Sequence, residues 1–281
     1  MNHPTRLMTE KKETTKTKNE MTFWEHLDEL RGSLIKIAIT VVVSSIVVFL
    51  FKEETFRIIF APKNDSFITY EILNKISHGI TGNTEKINFS VQLINTGLTE
   101  QFMTHMKTSI HIGFMISLPY ILYLLFRFIS PALYSNEKKY SARAITSGYV
   151  MFMLGVLLNY FLIFPLTLSF LGTYQVSQEV ANMISLQSYM DILMMMNLMM
   201  GIVFELPILC WVLGKLGVLT DTFMKKFRKH SFVAILIVSA IITPTSDVFT
   251  LMVVALPIWI LYEISILVVK ASGRKNKTVG E

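Results

Sequence analysis

Six blocks of this chain, about Ser33–Phe51, Thr108–Phe128, Ser147–Leu171, Ile192–Leu213, Ser231–Thr243 and Val248–Val269, are almost purely apolar. A spanning helix needs about 20 such residues to cross roughly 30 Å of hydrocarbon, and most of the blocks reach that length. Blocks of this kind leave no polar face for water, so they exclude a soluble fold and predict an all-α, polytopic membrane protein with six transmembrane helices. Composition agrees: 52% of the 281 residues are apolar and 16% charged, against roughly 25% charged in an ordinary soluble domain. One transmembrane domain over residues 22–270 is expected, between a flexible cytosolic tail, 1–21, and a second tail, 271–281.

The fifth block is the short one. Its 13 residues cover roughly 20 Å at 1.5 Å per residue. Either the bilayer thins there, or amphipathic residues such as Phe223 and Phe227 prolong the helix into the interface. Pro119, Pro165, Pro207 and Pro257 fall inside or at the ends of blocks, where each removes a backbone donor and bends the helix. Bent helices predict a concave body.

Basic residues set the orientation. Arg6, Lys11, Lys12, Lys16, Lys18 and Arg31 precede the first block, Lys138, Lys139 and Arg143 follow the second, and Lys215, Lys225, Lys226, Arg228 and Lys229 follow the fourth. Lys270, Arg274, Lys275 and Lys277 follow the sixth, while Thr173–Met190 and Pro244–Asp247 carry no Lys or Arg. Both termini are therefore expected in the cytosol. The loop Lys52–Lys107 is an exception, its six basic residues being matched by six acidic ones. The net charge of +6 is read as topology and anionic-lipid contact, not nucleic-acid binding.

Three places carry chemistry. Thr22 and Glu25 have capping-box spacing, and Phe23, Leu27, Leu30 and Leu34 share a face of the helix that follows. The polar side of that helix presents Glu25, Asp28 and Glu29, either solvated or as a carboxylate cluster for a cationic ligand. Glu137, in Ser135–Asn136–Glu137–Lys138–Lys139, either complements a helix dipole or joins Glu29 in receiving guanidinium groups, whose planar fork suits a carboxylate. Glu205 lies well inside the fourth block, where a carboxylate costs on the order of 2.5–3.5 kcal/mol and signals either a paired structural group or a functional one. The single cysteine, Cys210, excludes an intramolecular disulfide. No metal site, nucleophile elbow or nucleotide motif is visible, so no cofactor and no enzymatic activity are expected.

Phe23–Trp24–Glu25–His26–Leu27–Asp28–Glu29–Leu30–Arg31 is similar to the amino-terminal signature of TatC proteins, and Phe128–Ile129–Ser130–Pro131–Ala132–Leu133–Tyr134 with Glu137 resembles their first cytosolic loop. Gly155, Tyr160–Phe161, Phe164–Pro165–Leu166, Phe204–Glu205–Leu206–Pro207 and Thr243–Pro244 with Asp247–Val248–Phe249 continue the likeness in order. The resemblance implies a glove-like, concave bundle whose fifth and sixth helices are short. It implies a receptor in the cytoplasmic (inner) membrane that binds twin-arginine signal peptides of folded proteins and moves them with the proton-motive force. The implied partners are single-span TatA-type and TatB-type proteins and other TatC copies. Glu29, Glu137, Phe128, Leu133 and Arg31 would form the peptide site, Glu205 an intramembrane polar site, and Thr243 and Asp247 a docking point for a partner helix.

The chain departs from the family pattern where Thr243–Pro244–Thr245–Ser246–Asp247 is one residue longer than the usual Thr-Pro-Pro-Asp, where Leu251 replaces a frequent Gln, and in the long loop 52–107. The alternative function is an ion-coupled small-solute transporter, with Glu205 in a proton relay. The absence of an inverted repeat and the acidic residues at the cytosolic side weigh against it.

Overall fold

A computed structural model describes residues 23–81, 91–129, 138–177, 179, 182–215, 217–243 and 247–277. The first apolar block lies in α1 (Phe23–Leu50). After α1 come α2 (Lys52–Ile59), a 3₁₀ turn at Ala61–Lys63, α3 (Ile68–Thr81) and the two-residue strand β1 (Leu93–Ile94). The second block is α4 (Glu100–Ile129), and the third is α5 (Lys138–Leu158), continued through a π-helical turn at Asn159–Ile163 into α6 (Phe164–Thr173). Strand β2 (Ile184–Ser185) leads into α7 (Leu186–Phe204) and α8 (Leu206–Lys215), the fourth block. The short α9 (Asp221–Lys226) precedes α10 (Arg228–Ile242) and α11 (Val248–Lys277).

Five of the six expected spans are long and apolar enough to cross a membrane: Leu27–Leu50, Glu100–Leu125, Ile145–Thr173, Leu186–Lys215 and Val248–Ala271. The fifth expected span, α10, has 15 residues, about 22 Å of helix, and stays short of a full bilayer. Its partner α11 differs from the expectation of a short sixth helix, running for 30 residues because the apolar block passes without a stop signal into the basic tail.

Contacts fix how the helices run. Phe49 stacks on His105 with ring centroids 4.0 Å apart, Ser117 Oγ lies 3.0 Å from Ser44 Oγ, and Arg127 faces Glu29. As the residue number falls on α1 it rises on α4, so the two are antiparallel. Small residues draw them together: a Cβ on Gly113 would stand 2.4 Å from Ser45 Oγ, the close backbone approach by which membrane helices gain van der Waals contact. Beyond α4, α5 and α7 meet at two further glycines, Gly155 against the Met200 carbonyl and Gly201 against the Phe152 ring. The Asn159 amide donates to Asn197 Oδ1 at 2.7 Å in the same seam. On the far side α10 lies antiparallel to α11, through Phe232 on Trp259 and Arg228 on Glu263.

The bundle therefore has two ends. At the first, here the basic end, α1 begins and α4, α8 and α11 finish; at the other, the capped end, the described parts of the loop between α1 and α4, residues 52–81 and 91–99, are folded down over the helices. That loop, which had no readable role in the sequence, is tied on by hydroxyls. Tyr189 donates to the Ile59 carbonyl at 2.8 Å, Tyr160 to that of Ile58 at 2.6 Å, and Tyr70 to those of Pro62 and Pro165. Strand β1 pairs in parallel with β2, Leu93 opposite Ile184. Proline explains one attachment. Pro165 has no N–H to offer the Phe161 carbonyl four residues earlier, and the Thr69 hydroxyl of α3 donates to that carbonyl instead.

Most of the core lies between the cap and α6, α7, α10 and α11, around Tyr70, Phe164, Tyr189, Met196, Ile242 and Val254. Helix α1 is the exception. Only 11% of its spanning window is buried, against 39–44% for the other four, so it is held from one side, by α4.

Candidate functional site

The basic end collects part of the predicted site. The antiparallel register of α1 on α4 brings Glu29, in the second turn of the described helix, beside the last turn of α4. Arg127 Nε stands 3.8 Å from Glu29 Oε1, with the glutamate side chain 24% exposed and the arginine 59%. The other carboxylate oxygen, Oε2, is buried and has no hydrogen-bond partner among the described residues. A buried acceptor left unmatched costs on the order of 1–3 kcal/mol, more for a charged group, so Glu29 retains an unused capacity to bind a donor.

Phe128 follows Arg127 directly and is half-buried, which puts it at the level of Glu29 on the neighbouring helix. Arg31 is exposed. Leu133 and Glu137 lie outside the described residues, as do Thr22 and the side chain of Glu25, so the second carboxylate of the predicted pair and the capping box have no placement here. Arg127 was not singled out from the sequence. Nothing local marks it, since its partner is 98 positions away and they meet only through the α1–α4 register.

Glu205 sits at a break in the fourth span. Pro207 cannot donate to the Val203 carbonyl, α7 ends at Phe204, and the Glu205 N–H turns to the Ile202 carbonyl at 3.1 Å. The chain restarts as α8, with the N–H groups of Ile208 and Leu209 on the Glu205 carbonyl. Ten residues separate this break from the end of α8, about 15 Å.

The glutamate side chain points at α5. A Cβ placed on Gly148 would lie 3.2 Å from Glu205 Oε2, 3.4 Å from Oε1 and 3.1 Å from Leu122 Cδ1. The glycine thus leaves room for the carboxylate between α4, α5 and the α7–α8 break. Glu205 Oε1 is buried without a hydrogen-bond partner among the described residues. A protein donor that would make this a paired structural group is therefore not among them.

Thr243 and Asp247 are at the capped end, far from Glu29. The Thr243 hydroxyl is buried and donates to the Ser239 carbonyl at 2.9 Å. Asp247 Oδ1 accepts from the Thr250 N–H at 2.6 Å, an N-cap that satisfies one of the free donors opening α11. Leu251 is half-buried one turn later.

Comparison with known proteins bears on the family of the chain as a whole. A model of the family described as "Sec-independent protein translocase protein (TatC)" matches residues 25–257. The chain is 37% identical over 253 residues to a Sec-independent protein translocase protein TatC of Blattabacterium, covering 89% of this chain and 95% of that one. It is 35% identical over 260 residues to the TatC protein of Aquifex aeolicus, covering 92% and 99% respectively. Two crystal structures of the twin-arginine translocase receptor TatC, one of them in the detergent DDM, superpose with TM-scores of 0.69 and 0.71 at 35% identity. Each covers 88% of this chain, and this chain covers 99% and 100% of theirs.

Proposed function

The chain belongs to the TatC family of Sec-independent protein translocase proteins, and from that premise we propose that its basic end is a cytosolic receptor face for the twin-arginine signal peptides of folded proteins. The observation that carries the reading is Glu29: a half-buried carboxylate at the α1–α4 seam with one oxygen lacking any hydrogen bond among the described residues. A guanidinium needs such a group. Its parallel N–H donors match two carboxylate oxygens, and the charge-assisted bonds are roughly twice as strong as neutral ones.

In this reading Glu29 and Glu137 each receive one arginine of the pair, Phe128 and Leu133 support the apolar residues that follow, and Arg31 lies at the edge of the same face. The basic segments of the sequence around this end support a cytosolic side for it, and for both termini, at the cytoplasmic membrane. Glu205, unpaired and open toward Gly148, serves as a polar point within the bilayer for substrate or partner passage. Thr243 and Asp247 mark the capped-end corner for a TatA-type or TatB-type single-span helix, with other TatC copies completing the assembly and the proton-motive force supplying the energy. The solute-transporter alternative gives way to the family membership.

The test is complementation. In cells lacking their own TatC, this chain should restore export of a folded reporter bearing a twin-arginine signal. Glu29→Gln and Glu137→Gln, each isosteric and uncharged, should abolish crosslinking of the signal peptide while leaving the protein in the membrane at normal level. Crosslinking that survives both substitutions overturns the site and leaves the family membership standing.

A further inference from the structure

The side chain nearest the Glu29 carboxylate in charge is already a guanidinium. Arg127 closes α4, where a cation is favoured by the helix dipole, and its Nε stands 3.8 Å from Glu29 Oε1. That separation is an ion pair but too long for a hydrogen bond. Arg127 is 59% exposed, so water and salt weaken the pair and its side chain is free to leave. Glu29 is the more enclosed partner, and its second oxygen is buried with no hydrogen bond among the described residues. Arg31 makes no ion pair among the described residues, so it is Arg127 that neutralises Glu29.

We infer that Arg127 is a resident counter-ion of the recognition site: its guanidinium occupies the Glu29 carboxylate loosely when no peptide is bound and is displaced by the incoming arginine. This rests on the reading of Glu29 as an arginine receptor. The geometry supports displacement because the resident pair uses the carboxylate poorly. It forms no bidentate contact and leaves Oε2 unmatched, whereas a peptide guanidinium arriving along the seam bonds both oxygens. The ligand thereby gains two charge-assisted hydrogen bonds for one long ion pair lost. The consequence is a threshold common to every cationic ligand. A ligand that offers only a point charge, such as lysine, gains little over the arginine it must expel, and a planar fork gains most.

The experiment uses the full chain in nanodiscs and a fluorescent synthetic twin-arginine signal peptide, with a second peptide carrying Lys-Lys in place of Arg-Arg. Arg127→Gln should raise affinity for the twin-arginine peptide by roughly two- to five-fold, the range an exposed ion pair spans. It should raise affinity for the Lys-Lys peptide by about the same factor, because both peptides expel the same arginine, and leave the ratio between the two unchanged. Arg127→Lys keeps the charge and should stay near the unsubstituted chain, and both variants should melt as it does. Glu29→Gln should lose binding of either peptide. If Glu29→Gln loses binding but Arg127→Gln leaves affinity unchanged or weaker, the counter-ion role is wrong and the recognition site stands. If Glu29→Gln binds normally, the recognition site itself is wrong and the role of Arg127 falls with it.

Discussion

Three carboxylates, one at the capped end and two toward the basic end, behave in opposite ways. At the capped end Glu100, which opens α4, uses both oxygens: Oε2 accepts from the N–H groups of Thr96 and Gly97 at 3.0 and 2.9 Å, and Oε1 from that of Gln187 at 2.7 Å. It joins the end of the 52–107 loop to the start of α7, beside the β1–β2 pairing. Toward the basic end, Glu29 and Glu205 each hold a buried oxygen with no hydrogen bond among the described residues. The difference separates an acid whose donors are supplied by its own fold from acids whose donors must come from outside. By that criterion Glu100 is a clamp, while Glu29 and Glu205 keep a capacity that a donor from outside could use.

Breaking the clamp should give the largest effect. Glu100→Ala leaves three backbone N–H groups without their acceptor and unties two loops that the chain brings together from 87 positions apart. Its melting temperature in detergent should fall by roughly 5 °C or more, and export should fall with it. Glu29→Gln should leave the melting temperature where it is. If both variants melt alike, the contrast between the ends has no energetic content.

How much of this was readable in sequence follows the range of the interactions. The spans are local signals, written in consecutive apolar residues, and five of the six reappear as helices long and apolar enough to cross a membrane. The shortfall of α10 was legible too. The fold of 52–81 and 91–99 was not, because what organises it is remote: Tyr189 on Ile59, Thr69 on Phe161, Leu93 on Ile184. Glu205 was legible as a charge inside an apolar block, and Glu29 as one of the acids on the polar side of the first helix. Their surroundings were not, since Arg127 meets Glu29 only through a helix register fixed by Gly113 on Ser45, and Gly148 looks like any other small residue in an apolar run until Glu205 is seen against it.

Gly148 offers a way to sharpen the comparison without touching an acid. In Gly148→Ala the new methyl would lie 3.2 and 3.4 Å from the two Glu205 oxygens, tight enough that the side chain must shift by a few tenths of an ångström while the helices stay in place. The fold should survive with little change in melting temperature, and export of a folded reporter should drop a few-fold. In a Glu205→Gln background the same alanine should add nothing, because the two changes act on one group. A loss of export that simply adds to that of Glu205→Gln would mean Gly148 matters for helix packing alone, and that Glu205 belongs with Glu100 among the structural acids.

The smallest effect expected is also at the basic end, and it guards against reading the contrast as a property of location. Asp221 in α9 is fully engaged: Lys225 Nζ donates to its Oδ2 at 2.8 Å, and that hydrogen bond, more than any other influence, holds the carboxyl below its ordinary range. A carboxyl whose folded pKa is depressed contributes stability that is complete above its unfolded pKa, about 4, and is lost as pH falls through the lower folded value. Asp221→Asn should therefore change the melting temperature very little at pH 7, since the pair is exposed and such pairs contribute little. What it should remove is a small part of the acid sensitivity below pH 4, visible as a shallower decline of melting temperature in that range. Signal-peptide crosslinking should be unaffected, because Asp221 already has its donor. If Asp221→Asn instead impaired crosslinking as Glu29→Gln is expected to, then an acid satisfied by its own fold would be acting in recognition, and a missing donor would no longer distinguish the two kinds of site.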